Sequence, residues 1–168
     1  MVDAELMALA ARVGAGLHAR RLSLATAESC TGGLIAGAVT AIAGSSDWFD
    51  RGFVTYSYAA KTDLLGVPAA MLLEAGAVSE RVARAMADGA LARSDAGVAV
   101  AVTGIAGPAG GTPGKPVGMV CFGWAMRGSP TEVATVHFPG DRAAVRDLSV
   151  RHALEGILIR LDSHPNGG

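Results

Sequence analysis

Residues 22–42 read LSLATAESCTGGLIAGAVTAI, and the order of types along this stretch decides the architecture. Leu22 to Ala27 is short and largely apolar, the pattern of a buried strand. Beyond the glycine pair, Leu34, Ile35, Ala38, Val39 and Ile42 recur at helical spacing. The cluster Glu28-Ser29-Cys30-Thr31-Gly32-Gly33 between them therefore occupies a strand-to-helix turn. Strands that alternate with helices in this way build layered α/β domains.

Working outward, Leu6, Leu9, Ala10, Val13 and Leu17 share one face of an opening helix. Arg20 and Arg21 close it, where cations suit the helix dipole. Downstream, Gly44-Ser45-Ser46 breaks the second helix, and Phe53 to Tyr56 is the next strand. Tyr58 to Leu65 is a short helix carrying Lys61. A further helix starts at Pro68, and Ser79 caps another whose apolar face is Val82, Ala83, Met86, Ala87, Ala90 and Leu91. Val98 to Val102 is wholly apolar, as in strands buried on both faces. Thr103 to Pro116 is a Gly- and Pro-rich loop, long for a compact domain, which raises the odds that it is functional. Val117 to Met126 and Glu132 to Phe138 form a hairpin around Arg127-Gly128-Ser129-Pro130. Asp141 caps a last helix with Val150, Leu154, Ile157, Leu158 and Leu161 as its core stripe. The fold expected is α/β: a three-layer α/β/α sandwich on a mixed sheet, with early strands parallel and the C-terminal hairpin antiparallel. One domain spans 1–162, and 163–168 form a flexible tail.

Composition narrows the function. The 168 residues are 51% hydrophobic, 17% charged and 5% aromatic, with a formal net charge of −1. That balance gives no electrostatic grip on nucleic acid or on a membrane surface. Cys30 and Cys121 stand in different motifs, so neither a disulfide framework nor a structural zinc site is expected. Asp3 and Glu5 stand where a signal peptide needs basic residues. No apolar run is long enough to span a bilayer. A reducing cytoplasm is the expected location.

Four segments carry candidate chemistry. A serine on a tight turn into a helix projects its hydroxyl from a strand end, beside free backbone N–H groups that stabilise an oxyanion. Gly32 and Gly33 remove side chains that would block those amides. The alternative is that Ser29 or Thr31 merely caps the helix. A serine nucleophile needs a base, and His18, His137, His152 and His164 all lie in unremarkable contexts without metal-ligand spacing. The chain has only two lysines, Lys61 and Lys115. Lysine can lose its proton when buried, whereas arginine effectively cannot. Lys61 is therefore the candidate base, the alternative being a solvated helix lysine lying over Tyr58. The glycines of Thr103-Gly104-Ile105-Ala106-Gly107-Pro108 follow the most apolar strand, where α/β sheets bind ligands. Plain turn flexibility explains them equally. Arg142 and Arg146 share one face near a helix N-terminus, a natural place for a phosphate or for two surface arginines.

Taken together, these segments, with Arg51-Gly52-Phe53-Val54-Thr55-Tyr56-Ser57, Gly76-Ala77-Val78-Ser79 and Lys115-Pro116-Val117-Gly118, resemble one family over nearly the whole chain. It is the C-terminal domain family of the competence-damage-inducible protein A, the nicotinamide-nucleotide amidohydrolases. The resemblance implies hydrolysis of nicotinamide mononucleotide to nicotinic acid mononucleotide and ammonia, in pyridine nucleotide recycling, without metal or cofactor. It implies Ser29 as nucleophile, Lys61 as base and Tyr56 as an aid to proton transfer or to orienting Lys61. Cys30, Thr31, Gly32 and Gly33 would supply oxyanion donors, and Thr103, Gly104 and Gly107 with Arg142 would hold the ribose phosphate. Many relatives have Asn-Glu where this chain has Tyr58-Ala59, which bears on how the lysine is tuned. Members often carry a larger N-terminal domain, and a chain beginning here is expected to lack it. Two rival readings stay open: a non-catalytic nucleotide-sensing or partner-binding domain, and a Ser/Lys amidase for another carboxamide. Exposed helix faces also point to a homo-oligomer.

Overall fold

The computed structural model describes residues 2–164. Its elements are α1 (Ala4–Ala19), β1 (Leu24–Glu28), α2 (Leu34–Thr40), β2 (Phe49–Val54), α3 (Tyr58–Leu65), α4 (Ala69–Ala75), α5 (Glu80–Ala92), β3 (Val98–Gly104), β4 (Met119–Met126), β5 (Glu132–His137) and α6 (Arg142–Ser163). The five strands form one open sheet in the order β2-β1-β3-β4-β5. β1 is parallel to both β2 and β3, and the β3-β4 and β4-β5 pairs are antiparallel. This is the mixed, helix-covered sheet that the alternating pattern predicts.

Side chains alternate across each strand and so divide the core in two. Leu24, Val98, Val100, Val102, Phe122 and Trp124 pack on one face with α1, α2 and α6. Ala25, Ala27, Ala99, Ala101 and Ala125 face α3, α4 and α5. Alanine on this second face lets the helices sit close to the sheet. Helix meets helix just as closely at Gly89 of α5, where a Cβ would collide with the Leu65 carbonyl at the end of α3. Gly89→Ala is expected to push α3 away and cost about 1–3 kcal/mol, read as a lowered unfolding midpoint in urea.

Several boundaries differ from the sequence reading. β1 runs from Leu24 to Glu28, not from Leu22 to Ala27. β3 continues through Thr103 and Gly104, which the sequence pattern assigns to the loop, because they still pair with Cys121 and Val120 of β4. The second strand begins at Phe49 and stops at Val54, not Tyr56. Its ladder with β1 ends at the pair Glu28–Val54, which leaves the Tyr56 carbonyl beyond the sheet. β4 begins at Met119 because Gly118 turns with φ 93°, and its amide is spent on Ile105 O. The helix α6 extends through Ser163, one residue into the segment expected to be a tail. Residues 165–168 of that tail lie outside the described residues.

Candidate active site

Register brings the site together. Glu28 pairs with Val54 on one side and Val102 on the other. The next residues, Ser29, Thr55 and Thr103, therefore stand side by side at the carboxyl ends of three parallel strands, the end at which open α/β sheets bind ligands. Alternation puts Ser29 on the face covered by α3, and α3 delivers Lys61 from its second turn. Ser57 starts that helix by accepting the Ala60 N–H at 3.0 Å.

Lys61 is fully buried, so the reading of a solvated helix lysine is set aside. Its Nζ lies 2.9 Å from Ser29 Oγ, 2.7 Å from Thr55 O and 3.2 Å from Tyr56 O. Burial pushes the lysine down from 10.5 to about 8. A neutral amine has two N–H groups and one lone pair. The two carbonyls can only accept, so they claim the two N–H groups. The lone pair is left for the Ser29 hydroxyl, the orientation a general base requires.

The Ser29–Gly33 turn is built around this contact. The Ser29 N–H donates to Val102 O at 2.9 Å, and Gly32 N–H donates to Ser29 O at 3.0 Å. Gly32 and Gly33 adopt φ 57° and 100°, in the left-handed region that glycine tolerates and branched residues do not. Among the described residues the Cys30 amide donates to no carbonyl. Thr31 is buried, and its hydroxyl donates to Glu28 Oε1 at 2.7 Å. Cys30 lines the cavity, but burial pushes its thiol up to about 11. It is a poor competitor of Ser29 as nucleophile.

Ser29, Lys61, Tyr56, Thr103, Gly107 and Arg142 line one cavity of about 260 Å³, to which Gly104 and Cys30 also contribute. Thr103 Oγ1 donates to Ala77 O at 2.8 Å and ties β3 to the segment after α4. Arg142 Nη1 donates to Gly107 O at 3.0 Å, and its Nη2 donates to the Tyr56 hydroxyl at 3.1 Å. The phenol of Tyr56 thus meets Arg142, while its backbone carbonyl meets Lys61. Ala106 and Arg142 also border a second hollow of about 630 Å³ beside the α6 start. Thr31, Gly32 and Gly33 do not line the first cavity. Arg146 borders the second hollow and not the first cavity, and it donates to Cys30 O at 3.1 Å and to Thr31 O at 3.4 Å. Two groups that sequence reasoning missed are the carbonyls of Thr55 and Tyr56, since a backbone acceptor leaves no mark in the residue code. Among the described residues no group of three His, Cys, Asp or Glu side chains is placed to hold a metal. No helix among them is long and apolar enough to cross a membrane.

A buried lysine amine against a serine hydroxyl, at the strand ends of a doubly covered α/β sheet, is the arrangement of a candidate hydrolase. The CinA C-terminal domain model matches residues 6–161, and the chain belongs to that family. The nicotinamide-nucleotide amidohydrolase PncC of Enterobacter agglomerans is 55% identical over 94% of this chain and 96% of its own length. A CinA-like protein of Akkermansia muciniphila is 56% identical over 82% of this chain, which spans only 33% of that protein. The crystal structure of the competence/damage inducible protein CihA from Agrobacterium tumefaciens superposes with a TM-score of 0.92. It is 48% identical and covers 96% of this chain and 98% of its own.

Proposed function

We propose that this protein hydrolyses the carboxamide of nicotinamide mononucleotide to nicotinic acid mononucleotide and ammonia, in pyridine nucleotide recycling. The activity named for the Enterobacter relative supports the substrate. The carrying observation is the 2.9 Å contact between Ser29 Oγ and a buried Lys61 whose other two partners are carbonyls.

Neutral Lys61 takes the Ser29 proton as Oγ attacks the carboxamide carbon. The tetrahedral oxyanion is met by amides of the nucleophile turn, the Cys30 N–H foremost. The C–N bond then breaks as the nitrogen takes the proton from Lys61, and ammonia leaves. Water attacks the acyl-enzyme ester, gives its proton to Lys61, and the proton returns to Ser29. The pyridinium charge withdraws electrons from the carboxamide and aids the first attack. No step calls for metal or cofactor.

Arg142 has five N–H donors and commits two of them. Arg142 lines the cavity, and its remaining donors would bind the ribose phosphate together with the Thr103–Gly107 backbone. The same reading takes the enzyme to act in the cytoplasm and to self-associate, the latter supported by Leu64 and Leu73, exposed on α3 and α4.

The phosphate assignment is tested by comparing nicotinamide mononucleotide with its riboside and with nicotinamide. A charged hydrogen bond of the usual strength gives the nucleotide a kcat/KM advantage on the order of 10–100-fold. Arg142→Ala should remove most of that advantage. Equal turnover of nucleotide and riboside by the parent enzyme would reject the assignment.

A further inference from the structure

The helix α2 starts without a side-chain cap of the ordinary kind. Its N-cap position is Gly33, which has none to offer. The cap comes instead from Glu28, inside β1 and next to the nucleophile. Its carboxylate is fully buried. Oε1 accepts the Ile35 N–H at 2.8 Å and the Thr31 hydroxyl at 2.7 Å, and Oε2 accepts the Ala36 N–H at 3.1 Å. Because side chains alternate along a strand, Glu28 reaches α2 on one face of the sheet while Ser29 faces Lys61 on the other.

This arrangement costs more than an ordinary cap. A buried carboxylate loses its hydration and is tolerated only when donors replace it. A Ser, Thr or Asp at position 33 would satisfy the same amides close to the surface. Capping from the strand has one consequence that a local cap lacks: the turn from Cys30 to Gly33 stays free of side chains at its two glycines. It is nevertheless pinned at both ends, by Glu28 through α2 and by β1 itself.

A second charged group holds the same turn from the opposite direction. Arg146 donates to Cys30 O and Thr31 O. The peptide unit is planar and its C=O and N–H point opposite ways. Drawing the Cys30 and Thr31 carbonyls towards α6 therefore fixes the planes of the two peptides that follow the Ser29–Cys30 peptide. The Cys30 N–H belongs to the Ser29–Cys30 peptide, whose carbonyl accepts the Gly32 N–H at 3.0 Å, so the hold on Thr31 and Gly32 reaches that amide.

We infer that Glu28 and Arg146 are positioning residues for oxyanion stabilisation, clamping the nucleophile turn from two sides without touching substrate. The inference rests on the Ser29 reading above. Preorganised amides act only if they do not reorient during reaction, so loosening the clamp affects the tetrahedral state and spares ground-state binding. Arg146, though it shares a helix face with Arg142, belongs to the turn and not to the phosphate.

The test is Glu28→Gln, which keeps the shape but places an NH₂ against a donor. It is assayed well below its unfolding midpoint for nicotinamide mononucleotide turnover. Binding is measured for the analogue bearing an aldehyde in place of the carboxamide, which forms a hemiacetal with Ser29. We expect kcat to fall about tenfold or more, the aldehyde Ki to rise by the same factor, and KM to stay within about twofold. Arg146→Gln should show the same split, and it carries the test alone if Glu28→Gln does not fold. A lowered melting midpoint with kcat and aldehyde Ki unchanged would make the clamp merely structural and overturn the inference. So would an Arg146→Gln variant whose KM rises with kcat intact. A parent enzyme that binds the aldehyde but releases no ammonia from the nucleotide would instead defeat the amidohydrolase reading. In that case the aldehyde Kd of the two variants, read by direct binding, still decides the clamp.

Discussion

Ser29→Ala is expected to lower ammonia release by a factor on the order of 10³ or more in a protein that remains folded. Among the described residues Ser29 Oγ is the one hydrogen-bond partner of Lys61 Nζ that can attack a carbonyl carbon, since the other two partners are backbone acceptors. Cys30 sits next to it, but its thiol is held protonated by burial and cannot substitute. Removing one oxygen from a residue that is 8% exposed leaves α2 capped by Glu28 and the turn bonded to Val102 O. Far-ultraviolet circular dichroism and the urea midpoint should therefore be close to those of the parent. Binding of the nucleotide should persist, because the groups proposed to hold the phosphate are untouched. Activity surviving the substitution would mean that a different nucleophile operates.

Lys61→Arg is the second large effect, and it separates a base from a positive charge. Arginine retains its proton at any working pH, so a site that needed only a cation beside Ser29 would keep much of its activity. A site that needs a lone pair would lose it, again by about 10³-fold or more. The pH profile carries the same distinction. The base form of Lys61 grows as pH rises, so kcat/KM should fall about tenfold per unit below about 8 and level off above it. The direction follows from the depressed value of about 8 against the usual 10.5. An unperturbed lysine would put the limb two to three units higher by ordinary values. Among the described residues no carboxylate bonds to the Lys61 amine.

The legible parts of the molecule were those written in local pattern. The turn at Ser29 could be placed because a short apolar run on one side and helical spacing on the other bracket six polar or glycine residues. Lys61 stood out through residue choice, in a chain that otherwise uses arginine. What the pattern could not hold was geometry between distant elements. The carbonyls of Thr55 and Tyr56 orient the base, yet a carbonyl belongs to every residue. Arg146 looks like the partner of Arg142 on a helix wheel, and only the packing of α6 against the turn sends it to Cys30 and Thr31. Glu28 was visible within the motif, but its role depends on which face of the sheet meets α2. Strand ends were off by a few residues because the ladder, not the apolar pattern, decides where pairing stops.

The most direct measurement is ammonia release from nicotinamide mononucleotide by the purified protein at pH 8–9, with nicotinic acid mononucleotide followed in the same samples. The account predicts the two products in equal amounts, accumulating catalytically and without added metal. Bound nucleotide that is returned intact, with no ammonia formed, would contradict it and make the cavity a nucleotide-sensing site.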